Sequence, residues 1–487
     1  MVTLGLLGVP GMVRVVRATS LAVRSEPYIS AARVVGLSSR QIVARHVLPR
    51  AAGPIAVQAS LFAGMALITE SGLAFLGLGA QEPAPSWGGM LAAASNSINT
   101  DPWMLVPAGV AIGLTVLALG LIGDAVRDTI GGRSAPSARP RRRMVATSPP
   151  ASFADRVPGD GALLSVRGLS AVVRAGAEDV PVLTDVSFEL APGETLGLIG
   201  ESGCGKTLTA RAVLGLLPPA VRVTAGSCRF DGQELFDLSP QRMRALLGSE
   251  LAFIAQEPIA SLDPNQRVGA QVAELVRRHH NVSRRDASRR AVALLARVQL
   301  VDPESVARRY PHQISGGMAQ RVAIAAALAG DPRVLIGDEP TTSLDVTVQA
   351  EILGLLRELG SERALSILVI THDWGVVSDS CDRAVVMYAG QMVESTGASE
   401  MYHQPLHPYT DALLRANPAI AAGGEPLPAI GGAVPPPGSW PSGCRFAPRC
   451  PLASAECTRH TIAIEEPQPG RLTRCIHHDL LLGAGSR

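Results

Sequence analysis

Apolar positions along this chain fall into two regimes. Residues 51–69, AAGPIAVQASLFAGMALIT, and residues 104–123, MLVPAGVAIGLTVLALGLIG, carry no charge. Each run approaches the roughly 20 residues that a helix needs to cross a bilayer core. From about residue 163 the long runs give way to short apolar strands alternating with helices. TLGLIG (195–200) runs into a glycine-rich turn and TLTARAVLGLL (207–217) reads as a helix. RVLIGDEP (333–340) and LSILVITHD (365–373) read as strands that end in polar residues. This alternation predicts an α/β domain with mostly parallel pairing. Residues 270–310 interrupt it with arginine-rich helical segments, VAELVRRHH and RRAVALLARVQL, which predict an inserted helical subdomain. Residues 131–162 are dense in Pro, Ser and Gly and keep no apolar period, so they read as a linker.

Charge placement orients the two runs. No Lys or Arg occurs between Arg50 and Arg127, whereas Arg33, Arg40, Arg45 and Arg50 precede the gap and Arg127, Arg133 and Arg139 follow it. The positive-inside rule puts the segment up to Arg50 in the cytoplasm, residues 77–103 outside, and everything after 124 back inside. Arg139 and Arg141–Arg143 suit either anionic headgroups or plain solvation. Residues 1–12 read as the end of a third apolar span whose beginning is missing, and no secretory leader is legible there. The composition agrees with a membrane part, being 47% hydrophobic and only 3% aromatic over 487 residues. A net charge of +2 selects no partner, and no basic surface with interleaved aromatics predicts nucleic-acid binding.

One lysine, Lys206, stands among 44 Lys+Arg residues. It sits in GESGCGKT, residues Gly200, Glu201, Ser202, Gly203, Cys204, Gly205, Lys206 and Thr207. This is G-x-x-x-x-G-K-[ST] between a strand and a helix, the context that a phosphate-binding loop requires. Glycines let backbone N–H groups turn onto phosphates, and the helix N-terminus favours negative charge there. A compact ammonium fits such a wrapped loop better than a planar guanidinium, which accounts for the exception at Lys206. Thr207 is expected to hold Mg²⁺ through its hydroxyl. Asp338 and Glu339 end a later strand, the first expected to position Mg²⁺ and the second to polarise the attacking water. Gln256, after the strand in AFIAQEP, is expected at the γ-phosphate and metal, and His372 at the γ-phosphate from the side.

With these elements, ISGGMAQR (314–321) and TTSLD (341–345) make residues 163–487 resemble an ATP-binding-cassette (ABC) ATPase. The resemblance implies ATP and Mg²⁺ as cofactors. It also implies that Ser315, Gly316 and Gly317 bind the γ-phosphate of ATP held on an opposite subunit, with Asp345 at the dimer seam. A second cassette is then required, most simply in a heterodimer. QEPIASLDP (256–264), YPHQISGGMAQR (310–321), CDRAVVMYAGQMVE (381–394) and HPYTDALL (407–414) resemble the dipeptide/oligopeptide/nickel importer family. Val173 stands where that family usually offers an aromatic ring to adenine. SAARVVGLSSRQIVARHVLP (30–49) is similar to the importer coupling loop, with Ala31, Ala32, Gly36, Leu48 and Pro49 in place and Ser30 where Glu is usual. FLGLGAQEPAPSWG (75–88) also resembles the matching permease.

The expected fold is therefore an α-helical membrane fragment of about two spans, a stub and a coupling helix, followed by an α/β P-loop ABC ATPase with a helical subdomain and a tail. The expected division is a partial permease at 1–130, a linker at 131–162, the ATP-binding domain at 163–415, and the tail at 416–487. The resemblance implies permease subunits and an extracytoplasmic solute-binding protein as partners. It also implies location in the cell membrane with the ATPase in the cytoplasm. The competing readings are a soluble-type iron–sulfur ABC ATPase with a vestigial permease segment, and an ABC exporter half.

Seven cysteines are present, and four crowd the tail as Cys444-x5-Cys450-x6-Cys457-x17-Cys475. Disulfides are not expected on the cytoplasmic side. Four thiolates suit a [4Fe–4S] cluster, which some members of the resembled family carry here. Zinc and unrelated thiols stay open, because the paired C-x2-C of common zinc ribbons is missing. Cys204, Cys228 and Cys381 read as small packing residues.

Overall fold

The computed structural model describes residues 2–24, 26–34, 36–79, 86–99, 101–130, 161–175, 178–341, 344–417 and 430–482. The linker expected at 131–162 lies, up to residue 160, outside the described residues. The chain divides into two compact units, Met1–Ser30 with Leu37–Ala138, and Ala31–Gly36 with Arg139–Arg487.

The first unit is helical. Its main helices are Val2–Arg24, Leu48–Phe75, Trp87–Asn96 and Leu105–Ile130. Two stretches, Ser39–Phe75 and Leu105–Gly123, are long and apolar enough to cross a membrane. The helix at 2–24 runs beyond the apolar residues 1–12 and carries Arg14 and Arg17. Small residues set the helix spacing. A Cβ added to Gly64 would lie 3.4 Å from Val116 Cγ1, and one added to Gly123 would lie 2.9 Å from Ser60 Cβ. Close approach at small residues is how helices associate where no water drives them together. The bulky side chains face outward instead. Leu61, Met65 and Ile68, and across from them Leu114, Leu117 and Leu121, are more than half exposed. A continuous apolar exterior is what lipid, rather than water, stabilises.

Before the long helix, Ser38 and Gln41 form a reciprocal cap, Ser38 N–H donating to Gln41 Oε1 at 2.9 Å. The cap starts a helical turn that continues through a π-type segment, Val43–Val47, into Leu48–Phe75. Tyr28 packs near His46, with ring centroids 6.0 Å apart, and Arg50 lies over the Tyr28 ring at 5.3 Å.

The second unit holds two sheets. Its strands are β1 (Leu164–Ala175), β2 (Glu178–Leu190), β3 (Thr195–Ile199), β4 (Val221–Phe230), β5 (Gln233–Glu234) and β6 (Leu251–Ile254). They continue as β7 (Val334–Asp338), β8 (Ser366–Thr371), β9 (Arg383–Tyr388), β10 (Gln391–Gly397), β11 (Glu465–Gln468) and β12 (Arg471–Thr473). The larger sheet has the order β11-β12-β10-β9-β3-β8-β7-β6. Its β9-β3-β8-β7-β6 part is parallel, as the alternation predicts, and its β10, β11 and β12 edge is antiparallel. Strands β7 and β8 are buried along their whole length, which explains their unbroken apolar runs. A second sheet, β2-β1-β4-β5, is wholly antiparallel. The sequence reading did not anticipate it, because its strands lack the continuous apolar character of buried parallel strands.

Between β6 and β7 lie helices Val268–His280, Arg284–Arg297, Pro303–Arg308 and Gly316–Ala327, the expected helical insertion. Val272, Val276, Leu295, Val298 and Val322 from these helices join one apolar core with Leu335 and Ile367 of the sheet.

Candidate nucleotide site

Parallel strands end together, so the carboxyl ends of β3, β6, β7 and β8 gather polar residues at one edge of the sheet. The loop after β3 turns back into the helix Lys206–Val213 through Gly200, Gly203 and Gly205, all at positive φ. Two of these must be glycine. A Cβ on Gly200 would meet the Met387 carbonyl oxygen at 2.2 Å, and one on Gly205 would meet Leu183 Cδ2 at 2.7 Å. The predicted helix at 207–217 thus starts one residue earlier and stops at Val213.

Lys206 is 6% exposed. Its Nζ donates to the carbonyl oxygens of Gly200 at 2.6 Å and Glu201 at 3.1 Å. The ammonium is thereby held inside the loop that it serves. Cys204 is fully buried, and burial pushes its thiol pKa upward. Thr207 Oγ1 donates to Asp338 Oδ1 at 3.0 Å. Asp338 is buried, and burial raises its carboxyl pKa, with the neighbouring Glu339 charge adding to the rise. The Thr207 hydrogen bond and the charges of Arg211 and Lys206 oppose it. A hydroxyl beside a buried carboxylate is an oxygen donor set that suits a hard cation.

Glu339 follows with φ of 51° and donates its N–H to the Ile370 carbonyl oxygen at 2.8 Å. A non-glycine residue held in the left-handed region is uncommon and tends to mark functional positions. Gln256 Nε2 donates to Glu339 Oε2 at 3.1 Å, and His372 Nδ1 lies 3.4 Å from Glu339 Oε1. Three strand ends therefore converge on one carboxylate. Gly337, which the sequence leaves without a role, has a physical reason: a Cβ there would come 3.3 Å from Pro340 Cγ.

Ser315, Gly316, Gly317 and Asp345 sit at the starts of two other helices. Ser315 and Asp345 each begin a helix, accepting from Met318 N–H at 3.3 Å and Val348 N–H at 3.0 Å respectively. Gly317 packs against Val348, where an added Cβ would stand 2.9 Å from Cγ1. Thr342 and Ser343 of TTSLD lie outside the described residues. Gln349, on the helix that Asp345 starts, donates to Asp373 Oδ2 at 2.9 Å beside His372. The sequence reading missed Gln349, since a helical glutamine carries no signal of its target.

Within the loop, the Glu201 carboxylate is held by the tail. Arg449 grips it with two bonds, at 2.7 and 3.0 Å, while Tyr409 Oη accepts from its N–H at 2.9 Å. Neither partner was anticipated as a site residue. Tyr409 lies in the quoted HPY stretch, but nothing local reveals that its hydroxyl reaches a loop 208 residues away in sequence.

Cys444, Cys450, Cys457 and Cys475 line one small pocket with His407 and His477. Burial pushes the Cys444 and Cys450 thiols upward, and Cys475 to about 12. All four thiols are free. Among the described residues, no three Cys, His, Asp or Glu side chains are placed to hold a metal ion.

Family comparison matches three stretches of the chain. Residues 183–342 fit the ABC transporter model, and residues 393–457 fit the oligopeptide/dipeptide transporter C-terminal region. Residues 1–134 fit the inner membrane component of binding-protein-dependent transport systems. A protein of Brucella abortus (strain 2308), named as a peptide import ATP-binding protein, is 46% identical over 319 residues, 64% of this chain and 94% of the relative. The chain belongs to the dipeptide/oligopeptide branch of the ABC transporters. Similar relatives include the oligopeptide transport ATP-binding protein AppD of Bacillus subtilis (strain 168), 41% identical over 65% of this chain and 97% of that protein. The dipeptide transport ATP-binding protein DppD of Escherichia coli (strain K12) is 42% identical over 66% of this chain and 97% of that protein. This ABC transporter chain is thus an ATPase that uses ATP and Mg²⁺, coupled to transport and joined to a permease segment. It resides in the inner membrane with its ATPase in the cytoplasm.

Proposed function

We propose that this chain powers the import of peptides, with a second ABC ATPase, permease subunits and an extracytoplasmic solute-binding protein as partners. The observation that carries the reading is the joining of a permease-type segment, a cassette and an oligopeptide-transporter tail in one sequence. The functional division is the permease segment at 1–130, linker at 131–162, ATP-binding domain at 163–415 and tail at 416–487.

In the mechanism, the N–H groups of residues 203–207 and the helix N-terminus at Lys206 bind the phosphates of ATP. Thr207 and Asp338, already hydrogen-bonded, would hold Mg²⁺, which neutralises charge developing on the phosphates when bound. Glu339 takes the proton of the attacking water. Gln256 orients that carboxylate from one side, and His372 reaches the γ-phosphate from the other. Ser315, Gly316 and Gly317, at a helix N-terminus, bind the γ-phosphate of ATP on the partner cassette, with Asp345 at the seam. Two cassettes closing over two ATP molecules deliver the stroke.

The four tail cysteines are proposed to hold a [4Fe–4S] cluster. Their shared pocket supports this, and binding would draw together thiols that in this structure are not placed for coordination. Protein purified without oxygen should be brown and contain about four irons per chain; colourless, iron-free protein overturns the cluster.

The transport reading is tested in the native host by deleting the gene and measuring uptake of radiolabelled di- and oligopeptides. Loss of uptake, restored by the wild-type gene but not by a Glu339→Gln copy, supports it. Unchanged peptide uptake with lost nickel uptake overturns the substrate class.

A further inference from the structure

An anion-binding loop that carries a carboxylate in its second position has an electrostatic problem. Glu201 immediately follows the first loop glycine, so its charge lies close to where phosphates bind. We infer that Arg449, from the cysteine-bearing tail, is a positioning residue for ATP binding: it neutralises Glu201 and, with Tyr409, fixes the phosphate loop from behind.

The geometry is that of a built clamp. The Arg449 side chain is 5% exposed and meets both Glu201 oxygens with separate nitrogens, Nη1 at 2.7 Å and Nη2 at 3.0 Å. Such bidentate pairing fixes direction as well as charge. The guanidinium is itself anchored, Nε donating to the Gly431 carbonyl oxygen at 2.8 Å and Nη1 to Tyr388 Oη at 3.2 Å. Tyr409 is fully buried, its ring 4.6 Å from that of Tyr388 and 5.3 Å from that of Phe446. Its hydroxyl accepts the Glu201 N–H, while Gly390 N–H donates to the Cys204 carbonyl oxygen at 2.9 Å. Around the loop tip the space is open, with nothing beyond the chain neighbours within 4 Å of a Cβ built on Gly203. A glycine-rich loop pays conformational entropy to hold its N–H groups inward, and restraint at Glu201 and Cys204 reduces that cost. Arg449 precedes Cys450 by one residue, so the tail's pocket and the ATP site share one strut.

The test is equilibrium binding of MgADP to the full chain in detergent, recording both the dissociation constant and the number of sites. Arg449→Gln should weaken binding about tenfold, because it leaves the Glu201 charge uncompensated beside the phosphates. The double variant Arg449→Gln with Glu201→Gln should return to within about threefold of wild type, since the repulsive charge is gone. A merely structural role would lower the number of sites without altering the constant, and a second substitution would not rescue it. Arg449→Lys keeps the charge and the fold, and should fall between wild type and Arg449→Gln. Wild-type affinity in Arg449→Gln, or a double variant as weak as that single one, overturns the inference. Lys206→Ala serves as the separate control: undiminished MgADP binding there would refute the phosphate-loop assignment itself.

Discussion

Gln256 and Glu339 face each other across 3.1 Å, amide nitrogen to carboxylate oxygen, although 83 residues separate them in sequence. Their strands, β6 and β7, are parallel neighbours with Ile254 opposite Gly337, so both chains leave the sheet at the same level. The second Glu339 oxygen faces His372 beyond the end of β8. Parallel pairing thus places a carboxylate between an amide donor and an imidazole nitrogen from three sequence-distant loops. Glu339 is mostly buried while His372 is largely exposed.

Glu339→Gln retains the shape and the Gln256 neighbour but cannot accept a proton. ATP should still bind with wild-type affinity, while kcat falls by about 10²–10⁴-fold, the ordinary contribution of a general base. Steady-state phosphate release alongside ATP-binding measurements checks both halves. Undiminished turnover would remove Glu339 as the base.

Lys206→Arg tests whether charge alone suffices in the loop. The ammonium occupies a space bounded by the Gly200 and Glu201 carbonyl oxygens, at 2.6 and 3.1 Å, and is nearly closed to solvent. A planar guanidinium cannot make both bonds without opening the loop. The dissociation constant for ATP should rise about 10- to 100-fold, the loss expected for hydrogen bonds to a charged group. Wild-type affinity in this variant would leave the lone lysine without a physical reason.

What the sequence made legible follows from how local each signal is. The phosphate loop, Asp338 with Glu339, and the strand ends at Gln256 and His372 were readable because each sits at a fixed offset from an apolar strand. The two apolar runs were readable because charge is absent from them over whole helix lengths. The antiparallel β2-β1-β4-β5 sheet was not, since its half-buried strands carry mixed polarity. The Arg449–Glu201 pair was not legible either. One arginine among dozens carries no mark of its partner, and only the folded tail brings Arg449 to the loop. The residues around 1–12 read as the end of a span, but the helix there extends to Arg24 because Arg14 and Arg17 do not interrupt helical backbone.

Val173 lies in β1, half-buried, opposite Val180 of β2 and Val221 of β4, with no aromatic ring at either paired position. Restoring an aromatic there should give adenine a face on which to stack. Val173→Tyr should lower the dissociation constant for ATP about three- to tenfold, in line with the usual worth of an aromatic pair. A base-free control, inorganic triphosphate, should bind the variant and wild type equally. An unchanged ATP constant would mean that adenine does not lie against β1.

His279 connects the helical insertion to pH. It sits near the end of the helix Val268–His280, and its ring packs against the backbone at Gly330, where an added Cβ would stand 3.1 Å from Cγ. Its Nε2 is buried without a hydrogen-bond partner among the described residues. Burial lowers its pKa to about 4, and the charges of Arg278 and His280 add to the depression. The unfolded chain, with an ordinary histidine pKa near 6.5, binds the proton more readily than the folded one between those values. The contribution of His279 is therefore complete above about pH 6.5 and is lost as pH falls toward 4, both states being protonated only below that value. His279→Phe keeps a ring without a titratable proton and should flatten this part of the acid limb. Thermal unfolding of the full chain in detergent from neutral pH to about pH 4 would reveal a shallower fall in the variant. Superimposable curves would show that His279 does not set the acid sensitivity of the helical insertion.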